Sequence, residues 1–376
     1  MNPQEIINTI ALTRLNFFNL PGLLQLYKEV GSATDIIDHR NDIRAILPDA
    51  SPRLVEALAH IDDSLQRAEA EYTWAVEHQV EPIAFNDDRY PQRLKECDDA
   101  PLMLFYRGNA DLNARRIVSI VGTRHATAYG QDLINRFVGE LSQLCPDTLI
   151  ISGLAYGIDI MAHRAALNSH LPTIGVLAHG LDEIYPTAHR ATAVKMVDHG
   201  GLLTEFTSAT RIDKKNFVQR NRIVAGMADA VILVESAATG GGLITTSIAS
   251  SYDREVFAFP GAVGAPYSEG CNLLIRDNNA ALITSAHDFV KNMGWESDAR
   301  LQTARQQGIE RQLFVNLSDE EQQVVNALQE QNDQQINLLA VRVNMPIAKL
   351  SALLFTLEMQ GLVRTLPGAI YHLINT

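Results

Sequence analysis

The sequence predicts an α/β chain built on a doubly wound parallel sheet, and three observations carry that reading. Short apolar, β-branched runs recur between residues 116 and 290, each run ends at a glycine, a serine or a polar turn, and helical patterns separate them. Ile117–Val121 leads into Gly122-Thr123-Arg124, Thr148–Ile151 into Ser152-Gly153, and Thr173–Leu177 ends near Gly180. Leu202–Thr204 precedes Glu205, Ala230–Val234 precedes the Glu235–Thr239 loop and the triple glycine Gly240-Gly241-Gly242, and Val256–Phe259 ends at Pro260-Gly261. Runs that are apolar throughout, such as Ala230–Val234, read as strands covered on both faces. Ligands of such sheets bind beyond the carboxyl ends of the strands, where the glycines, Arg124, Asp159 and Glu205 all fall.

Residues 1–80 lack this grammar and read as a small helical domain. Within LNFFNLPGLLQLYKEVGSATDIID, Pro21-Gly22 lies between two amphipathic stretches, as in a SAM-like or helix-hairpin-helix module. The module is acidic and its hairpin has no lysine or arginine, which favours packing or partner contact over DNA binding. The core is expected over 81–295. Residues 296–312 are polar and read as a linker.

Residues 313–376 form a further unit. Ser318 and Glu321 make a capping box, and Val324, Val325 and Leu328 a helical face. Ile336–Val343 and Ile347–Gln360 supply two more helices, the latter ended by Gly361, and a hairpin around Pro367-Gly368 completes a winged helix. Its recognition helix holds Lys349 as its cation, so a protein-contact role is favoured over DNA reading.

The net charge is −13, and none of the three parts is basic overall. A nucleic-acid site must therefore be a local cleft whose field is focused by low-dielectric walls. Cys97, Cys145 and Cys271 are odd in number and widely spaced, which suggests core residues and neither a disulfide framework nor a zinc site. No signal peptide and no apolar run of membrane-spanning length is visible, so the expected compartment is the cytoplasm, with no membrane partner.

The stretch from Phe217 to Ala249 is the most telling. Arg211, Lys214, Lys215, Arg220 and Arg222 cluster against the single acid Asp213, just ahead of the Ala230–Val234 strand and the glycine turn. A helix starting after Gly240–Gly242 aims free N–H groups over the sheet edge, with Thr245 and Thr246 in its first turns. A phosphate-bearing ligand fits this arrangement. Close helix–sheet packing is the other reading of the glycines.

The motifs also identify a family. YPQRLKECDDAPLMLFYRG at 90–108, GTRHATAYG at 122–130, SGLAYGIDIMAHRAAL at 152–167 and GLDEIYP at 180–186 resemble DNA-processing protein A (DprA, also called Smf). So do FVQRNRIVAGMADAVILVESAATGGGLITTSIA at 217–249, FAFPG at 257–261 and GCNLLI at 270–275. The resemblance implies a Rossmann-like core that binds single-stranded DNA and dimerises. It implies a recombination mediator that protects incoming DNA and helps load the RecA recombinase during natural transformation, without catalysis or cofactor. Arg124 matches the arginine of the family's glycine–small–arginine turn, here Gly122-Thr123-Arg124. Lys214 and Lys215 match its basic segment, Phe217 the leading aromatic, and Arg220-Asn221-Arg222 the motif that follows. Val218 departs from the usual proline, and Tyr156 stands where a basic residue is common.

Each of these residues carries two readings. Arg124 grips phosphate through its planar fork or pairs with Asp159 or Glu205. Phe217 stacks on an unpaired base or belongs to the core. Arg220 and Arg222 are two apart on a helix and cannot face the same ligand, so one is expected to brace the loop through a buried pair. Gly153 and Gly157 precede Asp159, which reads as a cap for backbone amides. An enzyme reading remains as the alternative, a Rossmann-like nucleotide phosphoribohydrolase. It lacks the acid such enzymes carry just after the glycine turn and would have to use Asp159, Glu205 or Glu235. No phosphate-binding P-loop with its lysine is present.

Overall fold

The computed structural model describes residues 2–15, 20–295, 317–359, 362–366 and 369–373, and the expected linker at 296–312 lies outside them. Two compact units result, Met1–Glu296 and Ser297–Thr376.

The first unit is built on a nine-stranded sheet. Its strands are β1 (Glu81–Ala84), β2 (Met103–Gly108), β3 (Arg116–Val121), β4 (Thr148–Ser152), β5 (Thr173–Val176), β6 (Gly200–Thr204), β7 (Ala230–Leu233), β8 (Glu255–Ala258) and β9 (Ala281–Leu282). They lie in the order β1-β2-β6-β5-β4-β3-β7-β8-β9. The six strands legible in the sequence form the parallel centre, β3 to β8. β9 extends it in parallel, while β2 joins β6 antiparallel and β1 joins β2 antiparallel. The sheet is therefore mostly, not wholly, parallel. β1 and β2 escape a local reading because β2 finds its partner β6 far along the chain and β1 is held only through β2.

Alternation within the central strands sorts side chains onto two faces. Ile117, Val121, Leu149, Ile151, Val231 and Leu233 share one hydrophobic layer. Val118, Ile120, Ile150, Ala230 and Ile232 share the other, against the helices Ala128–Leu144, Ile158–Asn168 and Ala286–Asn292. Buried hydroxyls among them are satisfied: Ser119 donates to the Val224 carbonyl at 2.6 Å and Ser152 to that of Ile120 at 2.6 Å.

Among the described residues of 1–80 there are five α-helices, and they pack within the same compact unit as the sheet. Leu24, Tyr27, Ile36, Leu54 and Leu58 share a layer with Ile83, Phe85 and Tyr90. Pro21-Gly22 does not form the expected turn. Both residues fall in the first turn of the helix Leu20–Val30, where the missing proline N–H would have had no helical partner.

In the second unit, Asp319–Glu330 begins at a Ser318/Glu321 capping box, and Ile336–Arg342 and Ile347–Met359 follow. The strands β10 (Gln334–Gln335), β11 (Val363–Leu366) and β12 (Ile370–Leu373) pair in the order β10-β12-β11, completing a winged helix. Gly361 and Pro367-Gly368 are outside the described residues. Lys349 is paired with Glu320, and Phe355 and Met359 stand exposed on the same helix. Among the described residues, no single helix is long and apolar enough to cross a membrane.

Candidate nucleic-acid interface

β3 and β7 are hydrogen-bonded neighbours, yet the chain leaves them in opposite directions, β3 towards β4 and β7 towards β8. At such a switch point the loops part and leave a crevice over the carboxyl ends of the strands. A cleft of about 680 Å³ opens here. Gly122, Thr123 and Arg124 line it from β3, Gly153 from β4 and Gly240–Gly242 from β7, with Thr245 beyond them.

The helix Lys214–Gly226 forms one wall. Asp213 caps it, its Oδ1 accepting from the Lys215 amide at 2.8 Å. Lys214, Phe217, Val218 and Asn221, at helical spacings of three and four, present one face to the cleft. Lys215 is exposed and turned off that face.

Arg124 and Phe217 meet across the cleft. The guanidinium carbon lies 5.5 Å from the ring centroid, and Arg124 is exposed while Phe217 is half-buried. The edge of Tyr185 approaches Phe217 with centroids 6.1 Å apart and an interplanar angle of 62°. His125 stacks on Tyr267 at 6.2 Å, and Tyr156 meets His189 edge-on at 4.8 Å. Tyr185, His125 and Tyr267 were not among the residues picked out by sequence. Tyr185 lies in the GLDEIYP motif and His125 in GTRHATAYG, so both were visible there, whereas Tyr267 is brought in only by the fold.

The two arginines of the RNR motif divide, and neither is a free cation. Arg222 is 4% exposed and turns away from the cleft, donating to Glu205 Oε2 at 2.5 Å and to the Asp99 carbonyl. It is the brace, so the expectation that it contacts DNA is corrected: helical geometry points it into the body. Arg220 lines the cleft floor but is 5% exposed, bonded to the Val176 carbonyl and beside Asp159. Burial raises the Asp159 carboxyl and lowers the Arg220 guanidinium, and their mutual attraction opposes both shifts.

The remaining strand-end acids are also engaged. Burial raises Glu205, and Arg222 pulls it back. Glu235 accepts from the Thr127 amide at 2.8 Å and the Thr127 hydroxyl at 2.6 Å.

Close approach explains several glycines. A Cβ on Gly153 would fall 2.4 Å from both an Arg220 nitrogen and an Asp159 oxygen. Gly157 has φ +76°, and its Cβ would meet the Thr123 carbonyl oxygen at 2.2 Å. Gly242 packs against Leu233 and Gly122, whereas a Cβ on Gly241 would face open space. Behind Gly153, His163 bonds its carbonyl at 2.5 Å and Thr173 Oγ1 at 2.7 Å, with burial pushing the imidazole down to about 4. It is therefore a neutral brace. All three cysteines are buried, and among the described residues no group of three or more His, Cys, Asp or Glu side chains could hold a metal ion.

Family models match both units. One described as DNA recombination-mediator protein A covers residues 81–294, and one described as DprA winged helix domain covers 312–369. The putative DNA processing protein DprA of Mycobacterium tuberculosis is 37% identical over 278 residues, which is 73% of this chain and 70% of the relative. DNA processing protein DprA of Bacillus subtilis is 38% identical over 218 residues, 58% of this chain and 72% of the relative. The X-ray structure of DprA from Streptococcus pneumoniae aligns with a TM-score of 0.64 at 32% identity, covering 77% of this chain and 98% of that one. DNA processing protein A from Helicobacter pylori, whose structure is reported for its single-stranded DNA binding mode, aligns with a TM-score of 0.52 at 27% identity, over 57% and 95% of the two chains.

Proposed function

The chain belongs to the DprA/Smf family of DNA processing proteins, and from that premise we propose that it is a non-enzymatic, sequence-tolerant single-stranded DNA binder. In this reading it protects incoming DNA and promotes RecA loading in natural transformation. The observation that carries it is the Arg124–Phe217 contact at the mouth of the switch-point cleft. A guanidinium for phosphate and a ring for an unpaired base sit side by side, which suits a strand whose bases are free to stack. Lys214 adds a cation on the same wall. The Helicobacter pylori relative's reported DNA binding supports the assignment.

A nucleotide phosphoribohydrolase is the weaker reading. It needs a carboxylate free to face the sugar, whereas Asp159 is buried beside Arg220, Glu205 is buried and paired with Arg222, and Glu235 accepts from Thr127. Release of free base from a nucleotide panel would revive it.

The test is fluorescence anisotropy of labelled single- and double-stranded oligonucleotides at two salt concentrations. Preferential, salt-sensitive single-strand binding that is lost in a folded Lys214→Glu, Arg124→Ala variant is expected. Unchanged affinity in that variant would remove the cleft as the site. Two further parts of the proposal have their own assays. A homodimer through the core predicts a dimer by sedimentation at micromolar concentration, and RecA loading predicts faster RecA nucleation on protein-coated strands.

A further inference from the structure

We propose that the floor of the cleft is a phosphomonoester pocket that seats the phosphate of a nucleotide, either a free nucleoside monophosphate or the 5′-terminal phosphate of a strand. The proposal deepens the DNA reading of the same cleft and rests on it for the strand-end case.

Two independent observations carry it. The helix Gly241–Ser251 starts at the carboxyl end of β7 with no side chain capping it, and the Gly241 and Gly242 amides have no acceptor among the described residues. The helix Ala128–Leu144 has Thr127 as its cap and the helix Lys214–Gly226 has Asp213, so the dipole of each is already met by a side-chain oxygen. The second observation is Thr245. It is only 3% exposed, it lines the cleft, and its hydroxyl has no hydrogen-bond partner among the described residues. Its oxygen is not among the fully buried unpartnered atoms, so the hydroxyl is reached from the cleft and is available to a ligand oxygen there.

The donors converge. Two amides, Thr245 and the exposed Arg124 fork border one cleft; Glu235 is engaged by Thr127, and Asp159, buried beside Arg220, draws only in part on Arg124. An internal phosphodiester offers two non-bridging oxygens and one charge. A monoester offers three oxygens and close to two charges, which better matches a donor set of this size at a helix N-terminus. Gly241 faces open space on the ligand side, so phosphate can approach the backbone without displacing a side chain. The volume of the cleft leaves room for sugar and base beside Phe217 and Tyr185.

The experiment uses the full chain with 3′-labelled thymidine oligonucleotides carrying a 5′-hydroxyl or a 5′-phosphate, and thymidine 5′-monophosphate or thymidine as competitors. Thr245→Val removes the hydroxyl at nearly constant volume, and Gly241→Asp places a carboxylate at the amides in open space; circular dichroism confirms that both fold. The monophosphate should compete about tenfold better than thymidine, or the 5′-phosphorylated strand bind about tenfold tighter than the 5′-hydroxyl strand. The first result identifies a free nucleotide as ligand, and the second a strand end. In either case the ratio should collapse towards one in both variants. Ratios near one in the wild type, or ratios that survive both variants, overturn the pocket while leaving strand binding intact. If no strand binds, the DNA reading fails, and calorimetric titration of the monophosphate decides alone: heat lost in Gly241→Asp supports the pocket, and no heat in the wild type overturns it.

Discussion

The guanidinium carbon of Arg124 lies 5.5 Å from the centroid of the Phe217 ring, so a residue at the end of β3 and one on the facing helix make a single contact surface. The two are expected to act as a unit. Phe217→Ala should weaken single-strand binding by about 1–3 kcal/mol, as removal of a stacking ring does. Arg124→Ala should weaken it and flatten the salt dependence. The double variant should lose less than the sum, with a coupling of about 0.5–1 kcal/mol from the shared contact. Strict additivity in anisotropy titrations would mean the contact does not persist in the complex.

Tyr156, 51% exposed and packed against the His189 ring, lines the cleft without adding a charge to it. Tyr156→Lys should tighten single-strand binding several-fold at low salt. It should also steepen the slope of log affinity against log salt by about 0.7 if it reaches one phosphate. An unaltered slope would place this position off the strand's path.

The Arg222–Glu205 pair is buried on both sides, with 5% and 6% of the side chains exposed. Glu205→Gln leaves a buried guanidinium without its countercharge, which should cost about 3 kcal/mol in urea unfolding. A midpoint equal to that of the wild type would remove the bracing role.

His163 sits at about 4 in the folded protein, against an ordinary value near 6.5, because burial disfavours its charged form. As pH falls the unfolded chain takes up this proton first. The contribution of His163 to stability is therefore complete above about pH 6.5, is lost progressively down to about pH 4, and levels off below. Its slope reaches at most about 1.4 kcal/mol per pH unit. Urea midpoints from pH 7 to pH 5 should fall less steeply in His163→Gln than in the wild type, even though the variant is weaker throughout. Parallel slopes would show that the imidazole does not titrate this way.

The parallel centre of the sheet was legible because each strand is an uninterrupted apolar run with its own turn, a local signal. β1, β2 and β9 were not, because β9 has only two residues and β1 and β2 are placed by pairing with each other and with the distant β6. The same division runs through the site. Arg124 and the glycine turn follow from strand ends, and helical spacing alone separated Arg220 from Arg222. That both are buried depends on Glu205, Asp159 and the Val176 carbonyl, which arrive from elsewhere in the chain. The pairing of His125 with Tyr267 has no sequence signature at all.

The helix Lys214–Gly226 holds Lys214, Phe217 and Asn221 towards the cleft while Arg222 ties its opposite side to Glu205 and Asp99. Each residue of an α-helix turns about 100° from the last, since 3.6 make a turn. One amino acid inserted or deleted between Phe217 and Arg222 would swing the aromatic ring into the body or wrench the arginine out of it. Side chains along this stretch can thus be exchanged one at a time, but its length cannot change without losing one of its two contacts.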